Sequence, residues 1–263
     1  MNKIKLAFIA LLLLAFCQNT FAQQQQLDSL RKVARKTTIF SGSVGMTNNG
    51  FSIVPTFSLN SPSSLMLFSI RKNKFSFDPD FRFTTNYKKG GMLFWFRYHL
   101  IEKKRFSLRI GTHPAFNFAL RNITENGVTT TITQVRRFIA NEVAPNYKIK
   151  PNWSIGLYYL NGNGLQKDGP KLLHFLTLNT NISNIKVGGD FRFQFIPAVY
   201  YLNIDGIDGK YFTATGILTK KKVPFSLSSS INKTIKTNIG GGKDFLWNVS
   251  LSYHFNKKMV SVE

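Results

Sequence analysis

From residue 38 onward, large apolar and polar side chains alternate along the chain with a period of two. Residues spaced by two share one face of a β-strand, so each alternating run reads as a strand with one apolar and one polar face. In Phe245–Phe255, the residues Phe245, Trp247, Val249, Leu251, Tyr253 and Phe255 oppose Asn248, Ser250, Ser252 and His254. Phe75–Asn86 sets Phe75, Phe77, Pro79, Phe81 and Phe83 against Ser76, Asp78, Asp80, Arg82, Thr84 and Asn86. Phe106–Leu120 is the longest clean case, with Arg109, His113 and Asn117 on its polar side. The pattern also covers Thr38–Thr47, Phe51–Leu59, Leu65–Arg71, Met92–Leu100, Phe138–Ile149, Trp153–Leu160, Leu172–Ile182, Ile185–Leu202, Tyr211–Thr219 and Val223–Asn232.

The links alternate in length. Short ones (72–74, 101–105, 150–151, 183–184, 220–222) interleave with longer polar ones (121–134, 161–171, 203–210, 233–244). A soluble sandwich has no reason for that order, whereas a membrane barrel has short turns at one rim and longer loops at the other. The predicted fold is all-β: a transmembrane antiparallel up-and-down β-barrel over 37–256. The runs number thirteen, but both ends on one side of a membrane require an even count. The pattern is weakest over 37–74, so twelve strands are expected, with fourteen as the alternative. Pro55, Pro79, Pro114, Pro145 and Pro197 all fall on apolar positions of runs. Proline cannot donate to a strand ladder, which predicts bulges or rim positions there.

The N-terminus adds a compartment. Lys3 and Lys5 precede an apolar run, Leu6–Phe16, and Thr20-Phe21-Ala22 offers a cleavage site. Residues 1–22 therefore read as a secretory signal peptide for the Sec pathway. Cleavage there removes the only cysteine, Cys17. Residues 23–36 read as a periplasmic N-terminal tail and 257–263 as a C-terminal tail. No run approaches the ~18 apolar residues of a membrane-spanning helix, so a membrane crossing has to be made by a closed barrel. The chain carries 35 Lys+Arg against 12 Asp+Glu, a net charge of +23. The cations are dispersed among strands and no nucleic-acid motif is present, so a nucleic-acid partner is not expected.

The signal, the alternating runs and the aromatic end of the last strand, Tyr253-His254-Phe255, resemble those of Gram-negative outer-membrane β-barrel proteins, among them small porin-like barrels of unassigned function. That resemblance implies a place in the cell outer membrane, contact with outer-membrane lipid, and recognition of Phe245–Phe255 by the barrel assembly machinery. Eight residues follow Phe255, a departure from the usual ending. The resemblance transfers no site residues.

Candidate chemistry lies on the polar face, which becomes the lumen. Its charged members are Asp78, Asp80, Arg82, Arg97, His99, Arg109, His113, Glu142, Asp190 and Arg192, with Asn117 and Gln194 beside them. Two uses of these groups remain open. They line a narrow passive channel whose excess positive charge favours small anionic solutes, or they satisfy one another and brace a non-conducting structural barrel. The four histidines (His99, His113, His174, His254) show no metal-ligand spacing, so neither a metal nor another cofactor is expected. Ser252 and His254 are the one Ser/His pair on a common face. Without a third member they are a thin basis for a lipid-modifying enzyme, and no catalytic residue is assigned.

Overall fold

A computed structural model describes residues 37–53, 58–125, 127–167, 169–240 and 243–260. The signal peptide, Cys17, the N-terminal tail, Pro55 and residues 261–263 lie outside the described residues. One compact unit is Ile39–Lys258. Of the other, Met1–Thr38 with Met259–Glu263, only 37, 38, 259 and 260 are described, all as strand.

The described chain forms twelve strands: β1 (Thr37–Thr47), β2 (Ser63–Lys72), β3 (Phe75–Thr84), β4 (Lys89–Glu102), β5 (Phe106–Glu125), β6 (Val128–Lys150), β7 (Trp153–Gly164), β8 (Leu172–Gly188), β9 (Phe191–Ile204), β10 (Ile207–Lys220), β11 (Phe225–Thr237) and β12 (Phe245–Val260). Each pairs with its sequence neighbours, and β12 returns to β1, so the sheet is a closed barrel without edges. The twelve-strand expectation holds. The surplus run is Phe51–Leu59. Its described residues are not strand; residues 48–53 and 58–62 turn inward instead. Gly50 N–H donates to Ser61 O (3.0 Å), Leu59 N–H to Gly50 O (2.8 Å), and Ser58 Oγ accepts from Ser52 N–H (2.8 Å). Leu59 is buried, and Ile53 packs against a buried apolar cluster inside the barrel.

Three predicted links also move. Residues 121–134 are not a loop but a hairpin, paired residue by residue from Ala119↔Gln134 to Glu125↔Val128. Thr129–Thr133 is β-branched throughout, which favours strand over loop. Residues 203–210 contain a two-residue turn, Asp205-Gly206, with φ of 52° and 87°. Positive φ at both positions is what a type I′ hairpin turn requires. Ser183-Asn184 is no turn: β8 passes through it with a register shift between Ile182 and Ile185, and the reversal comes at Gly189-Asp190. A positive φ at Asn184 (56°) and at Gly189 (46°) had offered two places for the chain to bend, and the strand takes the first as an irregularity.

The apolar faces point outward. Phe96, Tyr98, Ile139, Val143, Tyr147, Leu178, Val199, Leu227, Trp247 and Leu251 are all exposed. At the end carrying the short turns, Phe75, Tyr98, Tyr147, Trp153, Phe191, Phe225 and Tyr253 form an exposed aromatic ring. Apolar wall plus aromatic girdle is the arrangement a lipid bilayer selects.

The prolines sit neither at bulges nor at rims. Pro79, Pro114, Pro145 and Pro197 stay in register with one neighbour, opposite Phe94, Ile139, Leu108 and Ala214. On the other side the ladder lapses for two pairs: between Leu67↔Asp80 and Ile70↔Phe77, between Leu93↔Ala115 and Phe96↔Thr112, between Val143↔Tyr159 and Asn146↔Gly156, and between Asn179↔Ala198 and Ile182↔Phe195. A residue's N–H points to only one neighbouring strand. Each proline thus forfeits one ladder contact and leaves the opposite ladder intact.

The seam is clasped from outside. The Phe255 ring lies 5.2 Å from Phe40 and 6.1 Å from Phe68, and Phe68 continues to Phe81 (6.3 Å), Phe94 (5.8 Å) and Phe116 (6.2 Å). Gly42 makes room for it, since a Cβ there would come within 2.7 Å of Phe255 Cζ and would collide with Leu67 O. At the other end of the seam, Asn48 N–H donates to Val249 O (3.2 Å) and Asn48 Oδ1 accepts from Val249 N–H (2.8 Å). Phe255→Ala removes two ring contacts and should lower the unfolding free energy of the barrel in lipid vesicles by about 1–2 kcal/mol. Gly42→Val, which strikes backbone, should cost more; urea titrations of the two variants check the order.

Candidate functional site

The lumen divides into an apolar half and a polar half. On the β8–β10 side, Phe175, Tyr200, Leu202 and Tyr211 are buried together, with Ile53 and Ile239 folded against them. Tyr200 stacks on Tyr211 at 4.8 Å and donates its hydroxyl to Asn232 Oδ1 (2.8 Å). This inward apolar cluster was not expected from the alternating pattern. Its signal is the pair Tyr200 and Leu202, apolar residues on the polar parity of β9.

On the β1–β6 side the expected charges meet. Glu142 of β6, with its side chain fully buried, accepts from Arg97 Nε (2.8 Å) and Arg109 Nε (2.9 Å). Arg97 reaches on to Asp78 (2.9 Å), which also accepts from Ser69 (2.5 Å) and Ser76 (2.9 Å). Asp80 and Arg82, two apart on β3, form a bidentate pair with contacts of 2.9 and 2.5 Å. Gly111 keeps the space between Arg97 and Glu142 open: a Cβ there would come within 3.0 Å of Arg97 Cγ and 3.1 Å of Glu142 Cγ. A buried carboxylate is tolerable only where cations and donors surround it, and β4 and β5 supply one guanidinium group each.

The polar half holds two cavities. The one toward the turn end, about 560 Å³, is lined by Asp78, Asp80, Trp95, Arg97, His99 and Arg109. The one toward the loop end, about 150 Å³, is lined by Ser58, Lys89, Asn117, Arg121, Gln134 and Arg136. The inward residues of β5 order them: Arg109 borders the first cavity and Asn117 the second, and between them His113 and Ala115 are buried. The His113 ring packs on Trp95 at 3.8 Å, and Arg97 Cζ lies 4.2 Å over the other ring. With Ala140, which pairs with His113 and is also buried, these side chains form a septum between the two cavities.

The structure therefore brings Asp78, Arg97, Arg109 and Glu142 into one network and places Asp80, Arg82, His99 and His113 on the same lumen wall. It does not bring in Asp190 and Arg192. Asp190 is exposed in the β8–β9 turn, and Arg192 Nη1 donates to Gly189 O (3.1 Å) and Phe191 O (2.8 Å), capping that turn. The misplacement follows from putting the turn at 183–184. Gln194 bonds Asn181 (3.0 Å) across the β8–β9 pair. His254 faces Ser226 of β11 (2.7 Å) rather than Ser252, because Ser226 pairs opposite Ser252 and lies closer to the ring. Arg121 was missed because residues 121–134 read as a loop, and Arg136 because the next run was started at Phe138. The signal was present, since Arg121 keeps the parity of Arg109, His113 and Asn117.

Glu142→Gln leaves two guanidinium groups facing a neutral amide, and should lower the unfolding free energy by about 3 kcal/mol. Arg71→Gln breaks an exposed pair with Glu102 (2.6 Å) and should cost less than about 1 kcal/mol. Equal losses in urea unfolding would contradict the assignment of Glu142 as the centre of the network.

No protein-family description and no characterised protein matches this sequence. Among solved structures the chain is similar to a KdgM porin, at 12% identity and a TM-score of 0.50, covering 82% of this chain and 99% of that one. It also aligns with a NanC porin (11% identity, TM-score 0.47, 85% of this chain and 100% of that one) and with LpxR from Salmonella typhimurium (10% identity, TM-score 0.47, 82% and 100%). By its closed twelve-stranded ring, apolar outer wall and charged lumen, this chain has the fold of the Gram-negative outer-membrane β-barrel proteins.

Proposed function

We propose that the barrel sits in the outer membrane and works as a narrow passive channel for small anionic solutes. The observation that carries this reading is the composition of the loop-end cavity. Lys89 and Arg121 converge there with Asn117, Gln134, Arg136 and Ser58, and among the described residues no carboxylate lines it. The turn-end cavity, in contrast, sets Asp78 and Asp80 against its arginines. A solute entering from the loop end meets excess positive charge first, which raises the local concentration of anions. It then meets the Trp95–His113 layer, which limits its size. The KdgM and NanC structures, named as porins, are compatible with this reading at the level of fold.

The buried septum favours a second reading, a non-conducting barrel in which the network is a brace. Single-channel recording in planar bilayers separates the two. The channel reading expects discrete steps, with a reversal potential under a salt gradient displaced toward anions. Trp95→Ala should widen the septum and raise the conductance by about twofold or more, while the double change of Lys89 and Arg121 to Gln should abolish the anion preference. A wild-type protein and a Trp95→Ala variant that both give no steps would leave the brace as the function.

A further inference from the structure

Three lysines stand on the outer wall near the loop end: Lys210 of β10, and Lys233 and Lys236 of β11. The register sets their direction. Lys210 lies opposite the outward residues Lys236 and Tyr201, and Lys233 lies opposite the outward residues Phe212 and Phe245. All three are exposed. The ladder shifts between Lys210 and Tyr211, and Ile235 is the extra residue on β11; both Ile235 and Lys236 are exposed there.

Lys210 and Lys236 make a costly pair, because like charges directly opposite across a ladder repel. Asp208 shares the face of Lys210, but it accepts a hydrogen bond from Asn238 Nδ2 (3.3 Å). None of the three lysines forms an ion pair among the described residues. Their height is also specific. Lys220 closes β10 at the turn end, over the Phe191 ring (5.5 Å). The ten residues from Lys220 to Lys210, tilted as in a barrel, rise about 25 Å, the height of an apolar membrane band. The lysines thus lie at the far edge of the hydrocarbon layer, where long cationic side chains can reach the headgroups. Directly alongside is an outward groove of about 300 Å³, lined by Leu157, Leu176, Leu178, Val199 and Ile235, with Lys210 also on its wall.

We propose that Lys210, Lys233 and Lys236, with this groove, form a binding site for one phosphorylated, multiply acylated lipid of the outer leaflet. Its phosphate groups neutralise the lysines, and an acyl chain lies in the groove. Phosphate is the matching chemistry, because it is a multiply charged acceptor that several ammonium groups can share. The groove selects a lipid over free phosphate. The site rests on the outer-membrane placement proposed above, with the loop end outward, and is independent of conduction through the lumen.

Native mass spectrometry of the full-length protein, folded in detergent, tests it with three probes: diphosphorylated lipid A, the same lipid with both phosphates removed, and inorganic phosphate. Wild type should retain one diphosphorylated lipid roughly tenfold or more tightly than the dephosphorylated form. Changing all three lysines to Gln should erase that preference. Changing them to Arg should keep it, as should changing Lys104, Lys150 and Lys221 at the turn end to Gln. The shift in mobility on heating reports that each variant is folded. Equal retention of the two lipids by wild type, an unaltered preference in the Gln variant, or displacement of the lipid by millimolar inorganic phosphate would overturn the proposal. A protein that gives no conductance and yet passes this test loses only the channel reading.

Discussion

Inside hydrocarbon there is no water to satisfy a peptide group, so a sheet can cross a membrane only if its last strand pairs with its first. The rest of this structure follows from that closure. The ring of twelve strands has no edge, and the places where it is weakest are visibly managed. At the seam, Gly42 and Phe255 let an aromatic side chain lie flat over the junction and link into a row of rings reaching β5. Within the wall, four prolines each interrupt one ladder for two pairs while the opposite ladder continues. A free edge would propagate; these lapses are bounded on both sides by intact pairing.

Closure also creates an inside that must be filled or wetted. A twelve-stranded ring is wider than the eight-stranded barrels whose side chains alone fill the interior. Here residues 48–53 and 58–62 supply extra material by folding inward, and Ile53 packs on Tyr200, Leu202 and Tyr211 in an apolar core against one wall. That leaves the opposite wall polar. On it, Glu142 draws Arg97 and Arg109 to itself, and Arg97 draws Asp78. Near the turn end acids answer the arginines. Toward the loop end Lys89 and Arg121 line a cavity that has no acid among the described residues. The contrast between an acid-lined turn end and a basic loop end along one wall gives the lumen a direction.

Much of this was legible in the sequence because lipid and lumen impose opposite chemistry on alternate residues. Parity alone placed Asp78, Asp80, Arg82, Arg97, His99, Arg109, His113 and Glu142 on the inner face. It failed where length rather than parity mattered. Phe51–Leu59 alternates well enough to pass as a strand, yet it is an inward segment, since nothing in a local pattern shows whether a neighbour exists for it to pair with. Residues 121–134 looked like a loop because Thr and Asn are polar, although their β-branched members hold a ladder to Glu125↔Val128. Asp190 and Arg192 were misassigned through a single turn displaced from 189–190 to 183–184. A register error in one hairpin is enough to move a residue from lumen to rim.

The outer wall is not uniform either, and the reason is the same demand for compensation. Around β1–β5 it is built of contacting Phe rings, whereas around β7–β9 it carries Leu and Val and leaves a groove. An all-ring surface is satisfied by any acyl chain sliding past it. A groove ending at Lys210, close to Lys233 and Lys236, is not: Lys210 faces Lys236 across the ladder, at a depth that a lipid headgroup reaches. Within the lumen the arginines found their acids on neighbouring strands. On the wall Asp208 shares the face of Lys210 but forms no ion pair with it among the described residues, and lipid phosphate is the counter-charge we propose.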